Sequence, residues 1–262
     1  MNVRHAIICV LLLVGPGLNK LWSSDTTDYL CLLRAYPQHL DRIEGNVLIW
    51  RDGTRMELDH GKRSNDHEQW LNGACIRDQL LQCYDAGGVD TPPARNHDPG
   101  RARHEPFFLK MYGSTKAGVA KRLTTITWLP GIVNAKLQVS TVNDVHKRLD
   151  SVSRELSKLP PSMHKYLLRP GGTFNWRPIA GTTRMSMHSF GVTIDINVAE
   201  SHYWRNDRPD RTGRYVYKNR IPMEIVRIFE KYGFIWGGRW YHYDTMHFEY
   251  RPELLDTMCR CR

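Results

Sequence analysis

Apolar positions recur along this chain in three distinct rhythms, and each rhythm predicts a different element. Val142, Val145, Leu149, Val152, Leu156 and Leu159 return at steps of three and four, which places them on one face of an amphipathic helix. Pro160-Pro161 ends that helix, because proline donates no backbone hydrogen bond and clashes with the preceding turn. Pro222 to Tyr232 reads as a second helix, with proline at its start and Gly233 as its stop. Tyr29 to Leu40 and Glu68 to Tyr84 show weaker helical spacing. Short runs predict strands: Asn46 to Trp50 leading into Arg51-Asp52-Gly53-Thr54, Thr124 to Leu129, the β-branched run Gly191 to Val198, and Tyr241 to Tyr250. Asp85 to Pro106, rich in Gly, Pro, Asp and Arg, reads as a long loop. Helices and strands mix without a strand-helix-strand alternation, so the expected class is α+β with an antiparallel sheet and flanking helices.

A third rhythm is an unbroken apolar run, Ala6 to Val14, behind the basic start Met1-Asn2-Val3-Arg4-His5. It has the form of a secretory signal and is too short for a stable membrane span. Residues 1–24 are therefore set apart as a signal-like segment, cleaved or retained as an N-terminal anchor. The rest divides into a region of unassigned role over 25–115 and a domain over 116–258. An exported protein, periplasmic or extracellular, is expected. In an oxidising compartment the cysteines beyond that segment (Cys31, Cys75, Cys83, Cys259 and Cys261) allow two disulfides and one free thiol. Cys75 and Cys83 could close a short loop, and Cys259-x-Cys261 could pair back to Cys31.

Composition adds less. In 262 residues, Lys and Arg total 37 against 27 Asp and Glu, for a net charge of +10. Such a surface attracts polyanions. The basic residues are dispersed and no zinc-finger or RNA-binding signature is present, so nucleic acid is not expected as a partner. An anionic cell-wall polymer or membrane surface suits the charge equally well.

The candidate chemistry lies in two pieces. One is Ser186-x-His188-x-x-Gly191-x-Thr193-x-Asp195; the other runs from Trp236 to Glu249 and contains Asp244-x-x-His247. Two imidazoles, a carboxylate and a spare acid suit a catalytic zinc ion, which takes three protein ligands and keeps one position open. His188 and Asp195 converge only if the chain folds between them, and Gly191 makes that fold inexpensive. Ser186 could orient the ligand. His247 and Glu249 share one face of a strand. The histidines of the first region (His39, His60, His67, His97 and His104) are scattered, and read as surface residues.

These residues resemble the M15 family of zinc peptidases, which comprises D-alanyl-D-alanine carboxypeptidases and dipeptidases and the L-alanyl-D-glutamate endopeptidases of phage lysins. The resemblance is specific over about 173–255 and extends back to about 116. It implies an α+β fold of the Hedgehog-like peptidase type carrying one zinc site, with an N-terminal extension. It assigns the zinc ligands to His188, Asp195 and His247, and the general base that activates the zinc-bound water to Asp244. The family's substrate-steadying arginine falls on Arg177, with Arg184 as the rival. Aspartate at 244 is closer to the endopeptidase branch, which tilts the expected cut towards L-Ala–D-Glu over D-Ala–D-Ala. Thr193 stands where the family usually has Ala, and Arg177 follows Asn-Trp where the family has Gly-Tyr. The expectation is a zinc-dependent hydrolase of peptidoglycan stem peptides, oligomeric state unassigned. The competing expectation is a non-catalytic, zinc-stabilised cell-wall-binding module, which a fourth protein ligand such as Glu249 or His242 would favour.

Overall fold

The computed structural model describes residues 29–256. The signal-like segment, Cys259 and Cys261 lie outside them. The described residues open with α1 (Leu30–Ala35), shorter than the spacing predicts because Pro37 follows it and Leu40 already belongs to a strand. β1 (Leu40–Glu44), β2 (Val47–Trp50) and β3 (Arg55–Glu57) make an antiparallel three-stranded sheet. α2 (His67–Asn72) is capped by Asp66, whose carboxylate accepts the Gln69 N–H at 2.8 Å. The longer helix expected over Glu68–Tyr84 breaks at Gly73. The Asp78 carboxylate takes the Cys75 N–H (2.8 Å) and the Trp70 indole N–H (3.0 Å), so side-chain bonds displace the helical ladder there. The expected loop runs to His104, where α3 (Glu105–Tyr112) starts with Pro106 in its first turn.

After α4 (Lys116–Ala120), β4 (Leu123–Trp128) and β5 (Ala135–Ser140) pair as a hairpin. α5 (Val145–Leu156) is the long amphipathic helix, and Val145, Leu149, Val152 and Leu156 are all fully buried. α6 (Pro161–His164) and β6 (Pro170–Gly172) lead to β7 (Thr193–Asn197). α7 (Met223–Lys231) stops at Gly233, whose φ of +93° an L side chain resists. β8 (Phe234–Trp236), β9 (His247–Tyr250) and α8 (Pro252–Leu255) complete the described chain. The strand expected over Tyr241–Tyr250 shrinks to β9. Its first half is a turn held by Asp244 N–H and Trp240 N–H on the Gly237 carbonyl.

Strands β6, β7, β9 and β8 form, in that order, an antiparallel sheet, and the whole is α+β. Strand alternation sorts its faces. Ile194, Ile196 and Phe248 point into the core, where the Phe248 ring stacks on Phe229 of α7 at 3.8 Å. Thr193, Asp195, His247 and Glu249 therefore share the opposite, polar face. That core is continuous with Trp50, Phe107 and Phe108 of the first region, and Phe108 and Tyr112 pack on Phe190. Cys31 and Cys83 each take part in a disulfide and Cys75 is a buried free thiol, so the Cys75–Cys83 loop does not form. No helix of the described residues is long and apolar enough to cross a membrane.

A candidate metal centre in an arginine-lined cleft

Asp195 and His247 are direct cross-strand partners of β7 and β9, which brings their side chains together on the polar face. His188 reaches them from a short 3-10 turn over Met187–Phe190. Gly191 closes that turn at φ +65°, donating its N–H to the His188 carbonyl. The left-handed conformation calls for glycine there, and a Cβ would also lie 2.7 Å from Leu123 Cδ2 and press on that side chain. The fold expected between His188 and Asp195 is this turn.

The result is a three-residue cluster whose ligand atoms all lie within 4.8 Å of one another. His188 Nε2 stands 3.2 Å and His247 Nδ1 3.0 Å from the same oxygen, Asp195 Oδ1. The outer nitrogen of each ring has its own acceptor. His188 Nδ1 is 3.0 Å from the Thr173 carbonyl, and His247 Nε2 is 3.2 Å from Glu249 Oε2. Neutral rings donating to those acceptors would each turn a lone pair towards Asp195, as metal-ligating histidines do. Thr193, at the position where the sequence departs from its resemblance, donates its hydroxyl to the same Thr173 carbonyl at 3.3 Å. Ser186 acts on the turn, not on the ring: its Oγ accepts the His188 backbone N–H at 3.3 Å.

The charges call for a cation. Burial opposes ionisation of Asp195, but its bonds to His188 and His247 outweigh that and hold its carboxyl well below the usual range. Burial likewise opposes a charge on His247, yet Asp195 and Glu249 raise it to about 10. Glu249 is held at about 2 despite its burial, by His247, Arg103 and Arg251. Burial pushes Asp244 up to about 6, with the nearby Asp195 charge adding to the rise. Asp244 lines the same cleft, and its Oδ1 is enclosed without a hydrogen-bond partner among the described residues. The donor set and the unpartnered carboxylate beside it fit a zinc ion with an open coordination position. Glu249 is occupied by the outer nitrogen of His247 and by Arg251 (3.0 Å), and His242 by Asp98 (2.7 Å), so neither serves as a fourth ligand.

The cleft has a volume of about 410 Å³ and four arginines in its wall: Arg101, Arg103, Arg177 and Arg184. Arg177 is exposed, and among the described residues its guanidinium bonds only the neighbouring Pro178 carbonyl, at 3.4 Å. Arg184 is mostly buried and pairs with Glu68 at 3.1 Å, leaving its Nε without a hydrogen-bond partner among the described residues. Arg101 and Arg103 correct the sequence reading, which found no chemistry in the first region. Arg101 stacks on Trp240 at 4.5 Å and donates to the His242 carbonyl; Arg103 stands 3.7 Å from Glu249. They sit in a loop with no periodicity to betray their direction, and the only signal was Arg-x-Arg in a Gly/Pro-rich stretch. His67 is also no plain surface residue, since its side chain is 15% exposed and faces Asp98.

Residues 180–250 match a family model of the M15 peptidases described as D-alanyl-D-alanine carboxypeptidase. The match bears out the resemblance to an M15 peptidase and covers His188, Asp195, Asp244 and His247. No curated protein and no solved structure gives a significant match.

Proposed function

We propose that this chain is an exported, zinc-dependent peptidase that hydrolyses amide bonds in peptidoglycan stem peptides. The observation that carries the reading is the convergence of His188, His247 and Asp195 beside the unpartnered carboxylate of Asp244. His188 Nε2, His247 Nδ1 and an Asp195 oxygen would hold the ion. Zinc in such a site supplies a Lewis acid and makes hydroxide available near neutral pH.

The chain's own groups supply the rest. Asp244, raised towards neutrality and free of hydrogen bonds at Oδ1, accepts the proton of the attacking water and passes it to the leaving amine. The arginine wall suits a peptide that carries a carboxylate near the scissile bond, which stem peptides do at D-Glu and at their terminal D-Ala. Arg177 has no strong partner to give up, so it is the guanidinium best able to grip that carboxylate or the developing oxyanion. Glu249, Arg251 and Thr173 fix the two imidazoles. The disulfide-bonded Cys31 and Cys83 support an oxidising, extracytoplasmic setting.

Aspartate at 244 leans to the endopeptidase, and the description of the matched family leans to the carboxypeptidase. A binding module would need a closed ion site, and the engaged Glu249 and His242 speak against one. Zinc content and muropeptide cleavage, measured together on wild type and Asp244→Asn, test the catalytic reading. The variant should keep its zinc and lose about 100- to 10,000-fold in turnover. Undiminished turnover would remove Asp244 as the base.

A further inference from the structure

A cluster next to the cleft repeats the arrangement of the first centre. Asp98 is fully buried in the loop before α3. His242 Nδ1 lies 2.7 Å from Asp98 Oδ2, and His67 Nε2 lies 3.2 Å from that same oxygen. The His67 approach is off the line of a good hydrogen bond, and this enclosed nitrogen has no hydrogen-bond partner among the described residues. At the first centre, too, two imidazole nitrogens approach one carboxylate oxygen, at 3.2 and 3.0 Å. In both clusters all three ligand atoms fall within 4.8 Å of one another. The other Asp98 oxygen accepts the His242 backbone N–H at 2.8 Å, which fixes the carboxylate with Oδ2 between the rings.

The contrast with a third cluster, Asp59, His60 and Cys75, is informative. There His60 Nε2 meets the Gly73 carbonyl at 2.8 Å, Nδ1 accepts the Lys62 N–H, and Asp59 is paired with Arg77 and Arg63. Its donors are already taken.

The geometry points to a second divalent-cation site, built from His67, Asp98 and His242 and separate from the His188–Asp195–His247 centre. Two imidazoles and a carboxylate select zinc-class ions over magnesium or calcium, which prefer all-oxygen sites. The His67 and His242 side chains are each 15% exposed, so the cluster lies near the surface, with Asp98 and the His67 Nε2 atom themselves enclosed. The three ligands come from the start of α2, from the loop carrying Arg101 and Arg103, and from the turn carrying Asp244. An ion here clamps the arginine wall against that turn, reinforcing the Arg101 bond to the His242 carbonyl (3.0 Å). The inference does not depend on the peptidase reading.

The test is zinc stoichiometry of the full chain, stripped with a chelator, reloaded with zinc, gel-filtered and counted by plasma mass spectrometry. Two zinc ions per chain are expected in wild type, one in His67→Ala, one in His188→Ala, and none when both are changed. Added zinc should raise the melting temperature of His188→Ala and leave the double variant unmoved. Should His67→Ala fail to fold, as judged by circular dichroism, His67→Gln keeps most of the side-chain volume, removes the imidazole and should show the same loss. A His67 variant that binds as much zinc as wild type, or a His188→Ala protein that binds none, overturns the second site. Two ions per chain with no muropeptide cleavage would instead count against the peptidase and leave this site standing.

Discussion

Asp244 differs from every other carboxylate of the cleft in what surrounds it. Asp195 and Glu249 have imidazole or guanidinium partners that stabilise their charge, whereas Oδ1 of Asp244 has none. Burial therefore dominates and lifts its pKa to about 6. The sign follows directly: a base works only when ionised, so activity is full above that value and falls as the pH drops through it. A bound dication nearby pulls the value down, which sets the acid limb of kcat/KM at or below pH 6. A profile of kcat/KM against pH in wild type checks this, and an acid limb above pH 7 would contradict it. The identities of His188, Asp195, Asp244 and His247 were legible in the sequence because their spacings resemble a family pattern. Thr173 was not assigned, because it acts through a backbone carbonyl that spacing does not reveal; Glu249 was legible as a neighbour of His247 on one strand face, but its role as acceptor for the outer nitrogen was not.

The decisive element is short: four residues of 3-10 helix closed by Gly191. It turns His188 back over β7, and a strand continuing straight would have carried the imidazole away from Asp195. Gly191→Ala forces an alanine to φ +65° and pushes its Cβ against Leu123, at a cost of roughly 1–3 kcal/mol. Chemical denaturation should register that loss, and zinc affinity should fall with it, since the turn and the ligand move together. Unchanged stability and affinity would mean that the turn tolerates other geometries. The helices α5 and α7 were readable from their apolar periodicity, which burial enforces. The half-strand before β9 was not: Tyr241 to Met246 was expected to extend that strand, but the Gly237 carbonyl captures the Asp244 N–H, and that of Trp240 just before, and bends the chain into the turn that carries Asp244.

At the scale of the whole molecule, the half that carries the candidate metal centre and the first region share their interior. Tyr36 donates to Glu253 at 2.6 Å, Glu253 accepts from Arg251, and Arg251 donates to Glu249 and to the Gly100 carbonyl. This buried chain of charges runs from the first helix to the acceptor of His247, and removing one member strands the others unpaired. A fragment of residues 116–258 also lacks Arg101, Arg103 and the Phe107–Phe108 packing. Expressed alone, it should show no cooperative thermal transition and no zinc-dependent cleavage; a sharp melt with retained activity would make 115/116 an independent boundary. The boundary suggested itself because the family pattern begins near residue 116, whereas long-range packing leaves no local mark in a sequence.

The central claim, hydrolysis of stem peptides at the His188–Asp195–His247 centre, is tested most directly by mass spectrometry of purified muropeptides incubated with the full chain. The digest is run as prepared, after chelation, and after zinc is restored. The account predicts cleavage that stops on chelation and returns with zinc; loss of a terminal D-alanine would mark a carboxypeptidase, and a cut after L-alanine an endopeptidase. Intact muropeptides in the presence of folded, zinc-loaded protein would contradict it.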